Sequence, residues 1–113
     1  LRREIEGWYA AACPAEWRMP KRDAVWVYDL RIPGLTWERQ VAVVRALNEA
    51  SVAARQSFKP LHLQEEYRGC RFVGTGNAER LSNECFYLPV IPGVTTGESV
   101  ELAFSILRSK IPL

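Results

Sequence analysis

Apolar residues follow a helical period through the middle of this chain. Trp37, Val41, Val44, Leu47, Ala54 and Phe58 recur at steps of three, four or seven. That spacing gathers side chains on one side of a helix. Thr36 can cap the start with its hydroxyl, and Glu38 sits where the positive end of the helix dipole favours an acid. Pro33 and Gly34 break what precedes, and Lys59-Pro60 closes the run. The pattern predicts one long helix over residues 36–58, the element around which the rest is organised. Ala42, Ala46 and Ala50 form a row of small side chains along it, expected to pack closely against a sheet.

Two shorter helices are expected at the ends. Over 2–12, Ile5, Trp8, Tyr9 and Ala12 share a face, and Cys13-Pro14 stops the run. Over 97–110, Val100, Ala103, Phe104 and Leu107 form a stripe capped by Thr95 or Thr96. Glu98 and Glu101 lie near its start and Arg108 and Lys110 near its end, as the dipole prefers. A period of two marks the strands. In 24–32, Ala24, Trp26, Tyr28, Leu30 and Ile32 face one way and Val25, Val27, Asp29 and Arg31 the other. In 61–73, Leu61, Leu63, Glu65 and Tyr67 alternate with His62, Gln64, Glu66 and Arg68, with a bend at Gly69. In 84–91, Phe86, Leu88 and Val90 share a face, and Pro89 demands an edge strand or a strand end. Residues 74–83 read as a loop.

The predicted fold class is α+β: an antiparallel sheet of three or more strands with two helices on one face. The order matches a ferredoxin-like (split βαβ) variant with an extra N-terminal helix. Residues 1–113 then form a single domain, with 1–22 as N-terminal helix and connector and 23–113 as a βαββα core. The second sheet face is expected to lie open.

Composition narrows the function classes. The chain is 48% hydrophobic and 25% charged, with a net charge of +2 from 15 basic and 13 acidic residues. Charge alone gives no argument for nucleic acid, and no apolar run is long enough to span a membrane. Cys13, Cys70 and Cys85 offer no CxxC spacing, so a reduced, cytoplasmic setting is expected, with a Cys70–Cys85 disulfide as the alternative. No metal site is expected, since His-x-x-His and Glu-x-x-His spacings do not occur. No cofactor is expected either. Gly74-Thr75-Gly76 lacks the third glycine of a dinucleotide loop, because Glu79 stands in its place.

Three functions remain. The leading expectation is a non-enzymatic interaction module that forms a homodimer or docks into a larger protein complex through an aromatic sheet face, anchored by Trp17, Trp26, Tyr28 and Tyr87. The second is single-stranded nucleic-acid binding on the same face, with Arg31, Arg68 and Arg71 beside stacking rings. The third is a small-molecule or enzymatic pocket using His62, Glu66 and a cysteine, Cys70 or Cys85, as acid–base and nucleophilic groups.

Overall fold

The computed structural model describes residues 1–111. Four helices and a three-stranded antiparallel sheet make up the fold: α1 Arg2–Ala12, β1 Val27–Arg31, α2 Trp37–Glu49, β2 Arg55–Gln56, α3 Asn77–Glu84, β3 Cys85–Pro89 and α4 Gly97–Lys110. The α+β class and the antiparallel sheet therefore stand. Strand order is β1-β3-β2. In β3, Phe86 and Leu88 have their Cα partners in Leu30 and Tyr28 of β1, and Gln56 of β2 also pairs with Phe86.

Alternation in β1 and β3 places Leu30, Phe86 and Leu88 in the core, where Ile32 and Val90 continue the series just past the strand ends. Helix α4 lays Val100, Ala103, Phe104 and Leu107 against it, all essentially buried. Thr96 and Ser99 close its N-terminus with a reciprocal capping box. Helix α1 packs on α4. Tyr9 stacks on Tyr28 with ring centroids 4.8 Å apart and meets Phe104 edge-on at 6.3 Å. Its hydroxyl donates to the Pro89 carbonyl at 2.7 Å. Helices α1, α2 and α4 thus belong to one face of the sheet.

Four expectations are corrected here. The central helix ends at Glu49, not near residue 58. Ser51 adopts a left-handed φ of 65°, and the Val52 amide turns back to the Leu47 carbonyl at 2.9 Å. That is a Schellman-type closure with serine where glycine is usual. Asn48 seals it by donating to the carbonyls of Val44 and Ala54. The buried face of α2 is Gln40, Val43, Val44 and Leu47, while Ala42 is exposed and Ala46 and Ala50 are half-buried. The alanine row therefore runs along the helix flank, not at the sheet contact.

Residues 61–73 form no strand. Leu61–Leu63 and Glu65–Tyr67 are single 3₁₀ turns, because this stretch finds no neighbouring strand and Pro60 starts a turn instead. The expected loop 74–83 carries α3, which starts after Gly76 in a left-handed conformation at φ 86°. Pro89 closes the central strand rather than lying on an edge. Short β2 reaches only Phe86 and Tyr87, so the missing Pro89 amide leaves no gap in the ladder.

Candidate functional site

The sheet face opposite the helices carries the polar chemistry. Paired residues on neighbouring strands point to the same side, so Arg55 of β2, Tyr87 of β3 and Asp29 of β1 form one row across the sheet. Beside it lie the pairs Cys85 with Arg31 and Pro89 with Val27. Arg22 closes on Asp29 at 2.7 Å. Arg55 is exposed and pairs with no acid among the described residues.

Two grooves flank this row. One, of about 590 Å³, runs past Trp26, Val27, Arg55, Tyr87 and Ile91. The other, of about 530 Å³, lies between Met19 and Arg22 on one side and Lys59, Leu61 and Gln64 on the other, with Tyr87 and Cys85 on its sheet side. Phe58 borders both, its ring 5.8 Å from that of Tyr87. The rim at Ser57 and Phe58 is held from beneath by a buried network. Gln40, fully buried, donates to the Ser82 and Asn83 carbonyls at 2.8 and 2.7 Å and accepts from the Ser57 amide at 3.1 Å. Ser82 donates from its hydroxyl to the Phe58 carbonyl at 3.2 Å. Nothing in the apolar period of α2 marks Gln40 for this role. It sits one turn from Val43 and Val44 on the buried stripe, and a buried glutamine must find partners there.

Electrostatics decides what these groups can do. Burial raises the Tyr87 phenol above its ordinary value, and the charge of Asp29 adds to the rise. Tyr87 is therefore a protonated hydrogen-bond donor at neutral pH, not a base. Burial likewise pushes the Cys85 thiol up, as does Asp29, so Cys85 is a poor nucleophile. Glu84 behaves the opposite way. Burial alone would raise its carboxyl, but the Gly34 amide at 3.0 Å and Arg31 at 2.5 Å outweigh that and hold it below the ordinary range.

The sequence-predicted site residues are scattered by this geometry. Trp17 is buried, and Tyr28, partly buried, stacks on Tyr9. Trp26, exposed, and Tyr87 lie along the grooves. Arg31 is held by Glu84, while Arg68 and Arg71 are exposed away from the sheet strands. His62 bonds through Nε2 to Glu79 of α3, not to Glu66, and its ring stacks on Phe72 at 3.7 Å. Glu66 and Cys70 are exposed, and no disulfide joins Cys70 to Cys85. The turn geometry of 61–67 explains the change of partner, since His62 and Glu66 no longer share a strand face. Glu79 stood in the sequence only as a departure from a glycine motif. Its carboxyl lies below the ordinary range, held there by its own amide and then by His62. Among the described residues, no group of histidine, cysteine and acid is arranged to hold a metal, and no helix is long and apolar enough to cross a membrane.

Comparison with known proteins gives the geometry a setting. The profile of the DegT/DnrJ/EryC1/StrS aminotransferase family matches residues 3–106. No curated protein matches. Among solved structures, 3-amino-5-hydroxybenzoic acid (AHBA) synthase superposes with a TM-score of 0.79 at 19% identity, over 96% of this chain and 33% of that one. The putative sugar aminotransferase Spr1654 from Streptococcus pneumoniae, in its PLP form, gives 0.79 at 19% identity, over 97% of this chain and 31% of that one. Helicobacter pylori PseC, an aminotransferase involved in the biosynthesis of pseudoaminic acid, gives 0.75 at 14% identity, over 96% of this chain and 31% of that one. The chain thus spans about a third of the length of these structures, which it resembles in fold. The family match overturns both the non-enzymatic interaction module and the nucleic-acid binder expected from the aromatic content. Tyr9, Trp17, Phe86 and Phe104 serve the core, with Tyr28 packed against them.

Proposed function

The chain belongs to the DegT/DnrJ/EryC1/StrS aminotransferase family, and from that premise we propose that it is one domain of an amino-group-transferring enzyme, with the outer face of its sheet as one wall of the substrate cleft. The observation that carries this reading is the row of Arg55, Tyr87 and Asp29 on the face opposite the helices, between two grooves, the first of which continues round the sheet edge to Val44 of α2 and Val90. Sites concentrate where an apolar floor carries a few fixed polar groups. Here the floor is Phe58, Tyr87 and Pro89, the cation is Arg55, and the neutral donor is the Tyr87 hydroxyl. The description of the Streptococcus neighbour as a sugar aminotransferase supports a carbonyl sugar as the amino acceptor.

Pyridoxal phosphate supplies the amino-transfer chemistry in such enzymes, ordinarily on a lysine with an acid or arginine at the pyridine nitrogen. The residues of this chain do not fit as its holder. Lys21, Lys59 and Lys110 are all exposed, and none has the enclosed setting that makes a lysine amine reactive. The proposal therefore gives this chain binding and positioning only: Arg55 to meet an anionic group, Tyr87 to donate a hydrogen bond, and the aromatic floor to exclude water.

We also read the sheet order β1-β3-β2, with the helix-linked β1 and β2 flanking β3, as the centre of a split βαβ arrangement; the two-residue β2 keeps it short of the full ferredoxin-like pattern. A cytoplasmic setting stays part of the reading, supported by the free thiols of Cys13, Cys70 and Cys85.

The test is amino transfer by an enzyme that carries this chain. With glutamate as donor and a nucleotide-linked ketosugar as acceptor, 2-oxoglutarate is expected to appear in step with the aminated sugar. No donor-dependent 2-oxo acid with any carbonyl acceptor would contradict the reading.

A further inference from the structure

Residues 59–75 form a strap whose first part, Lys59 to Gln64, lines the second groove, and few hydrogen bonds attach it. Its backbone hydrogen bonds are all local turns: Leu63 to Pro60, Gln64 to Leu61, Tyr67 to Gln64, Arg68 to Glu65 and Cys70 to Tyr67. Gln64 donates its side-chain amide to the Lys59 carbonyl, again within the strap. Among the described residues, one side-chain hydrogen bond ties 59–75 to the remainder of the domain, that of His62 to Glu79 on α3.

That bond is supported from both sides. The Phe72 ring lies over the imidazole at 3.7 Å with the planes 20° apart, so the far end of the strap folds back onto His62. Gly74 permits this. A Cβ at position 74 would strike the Phe72 ring within any real contact distance. The second carboxylate oxygen of Glu79 is covered and bonds no side chain among the described residues, so His62 is the one side chain bonded to this carboxylate. Meanwhile Lys59, Leu61 and Gln64, on either side of His62 in the chain, line the groove opposite Met19 and Arg22.

We propose that His62 is a positioning residue: clasped between Glu79 and Phe72, it holds the strap at the distance that sets the width of the substrate groove. This rests on the reading of the outer sheet face as the cleft wall. His62 itself touches no reacting group in this account. It acts through the backbone of residues 59–64, which it keeps against α3.

Two readouts separate the clasp from the cleft. Trypsin cuts at Arg68 and Arg71 report opening of the strap in the chain alone, since cleavage of a transiently opened segment follows its open population. His62→Ala and Gly74→Ala are each expected to speed these cuts by roughly fivefold to tenfold while cuts in α1 and α4 keep their rate. His62→Gln, which can still donate to Glu79, is expected to recover part of the protection. Unchanged cleavage in His62→Ala would overturn the clasp. In the enzyme that carries this chain, the same variants are expected to raise KM for the acceptor several-fold with kcat within about twofold. Faster cleavage with KM unchanged would overturn the role of the strap as a groove wall and leave the clasp standing as a local fact. Failure of amino transfer in the unmutated enzyme would instead count against the cleft reading.

Discussion

Single residues carry charge balances that can be tested one at a time. Glu84 is buried, yet its carboxyl lies below the ordinary value of 4.5, since the Gly34 amide and Arg31 outweigh the burial that would raise it. A depressed carboxyl contributes stability above the ordinary carboxylate range and loses it as pH falls through the folded value. Thermal unfolding of the wild type is therefore expected to lose Tm between neutral and acid pH. Glu84→Gln should flatten that slope and cost about 2 kcal/mol at neutral pH, the scale of hydrogen bonds to a charged group. An undiminished acid slope in Glu84→Gln would show that other carboxylates carry it. Arg31, one of the three arginines beside the stacking rings in the nucleic-acid expectation, instead serves this anchor at the turn between β1 and α2.

Individual elements differ in how much of them their own residues dictate. Helix α4 was legible in its bounds, since its stripe, a threonine cap and its terminal charges are all local, while the reciprocal Ser99 half of the cap was not marked. The alternation of β1 and β3 was equally plain. The end of α2 was not, because its closure depends on Ser51 turning left-handed while Val52 and Asn48 reach back, with no glycine to announce it. A left-handed L-residue is strained by roughly 1–2 kcal/mol, part of which glycine gives back as backbone entropy. Ser51→Gly is thus expected to stabilise the domain by about 0.5–1 kcal/mol and Ser51→Val to destabilise it, measured by urea midpoints at equal slope. Loss of stability in Ser51→Gly would mean the hydroxyl, not the φ angle, governs the site. The strap shows the other limit. Its alternating residues mimic a strand, but strand formation needs a neighbour, and which segments become neighbours is settled by the whole sheet.

At the scale of the molecule, one face of the sheet is committed to the core and the other carries the row of Arg55, Tyr87 and Asp29. Tyr9, Tyr28, Trp17 and Phe104 fill the helical side, so these four rings account for part of the aromatic content by core packing. Half of the candidate site could be read in advance. Trp26, Tyr87 and His62 were marked by residue type and position, while Asp29 stood only as a polar position on a strand face. Arg55 lay hidden in a segment read as helix, and Gln40 and Glu79 acquire their roles only through contacts distant in sequence.

The central claim is that the outer sheet face, not the helical face, meets the substrate. It is tested most directly by steady-state amino-transfer kinetics of Arg55→Ala and Tyr87→Phe beside Glu101→Ala, an exposed position on α4. The first two are expected to lose about tenfold in kcat/KM, near the value of one charged or buried hydrogen bond, and the third to stay within about twofold. Equal kinetics in all three variants, or a loss confined to Glu101→Ala, would contradict the account.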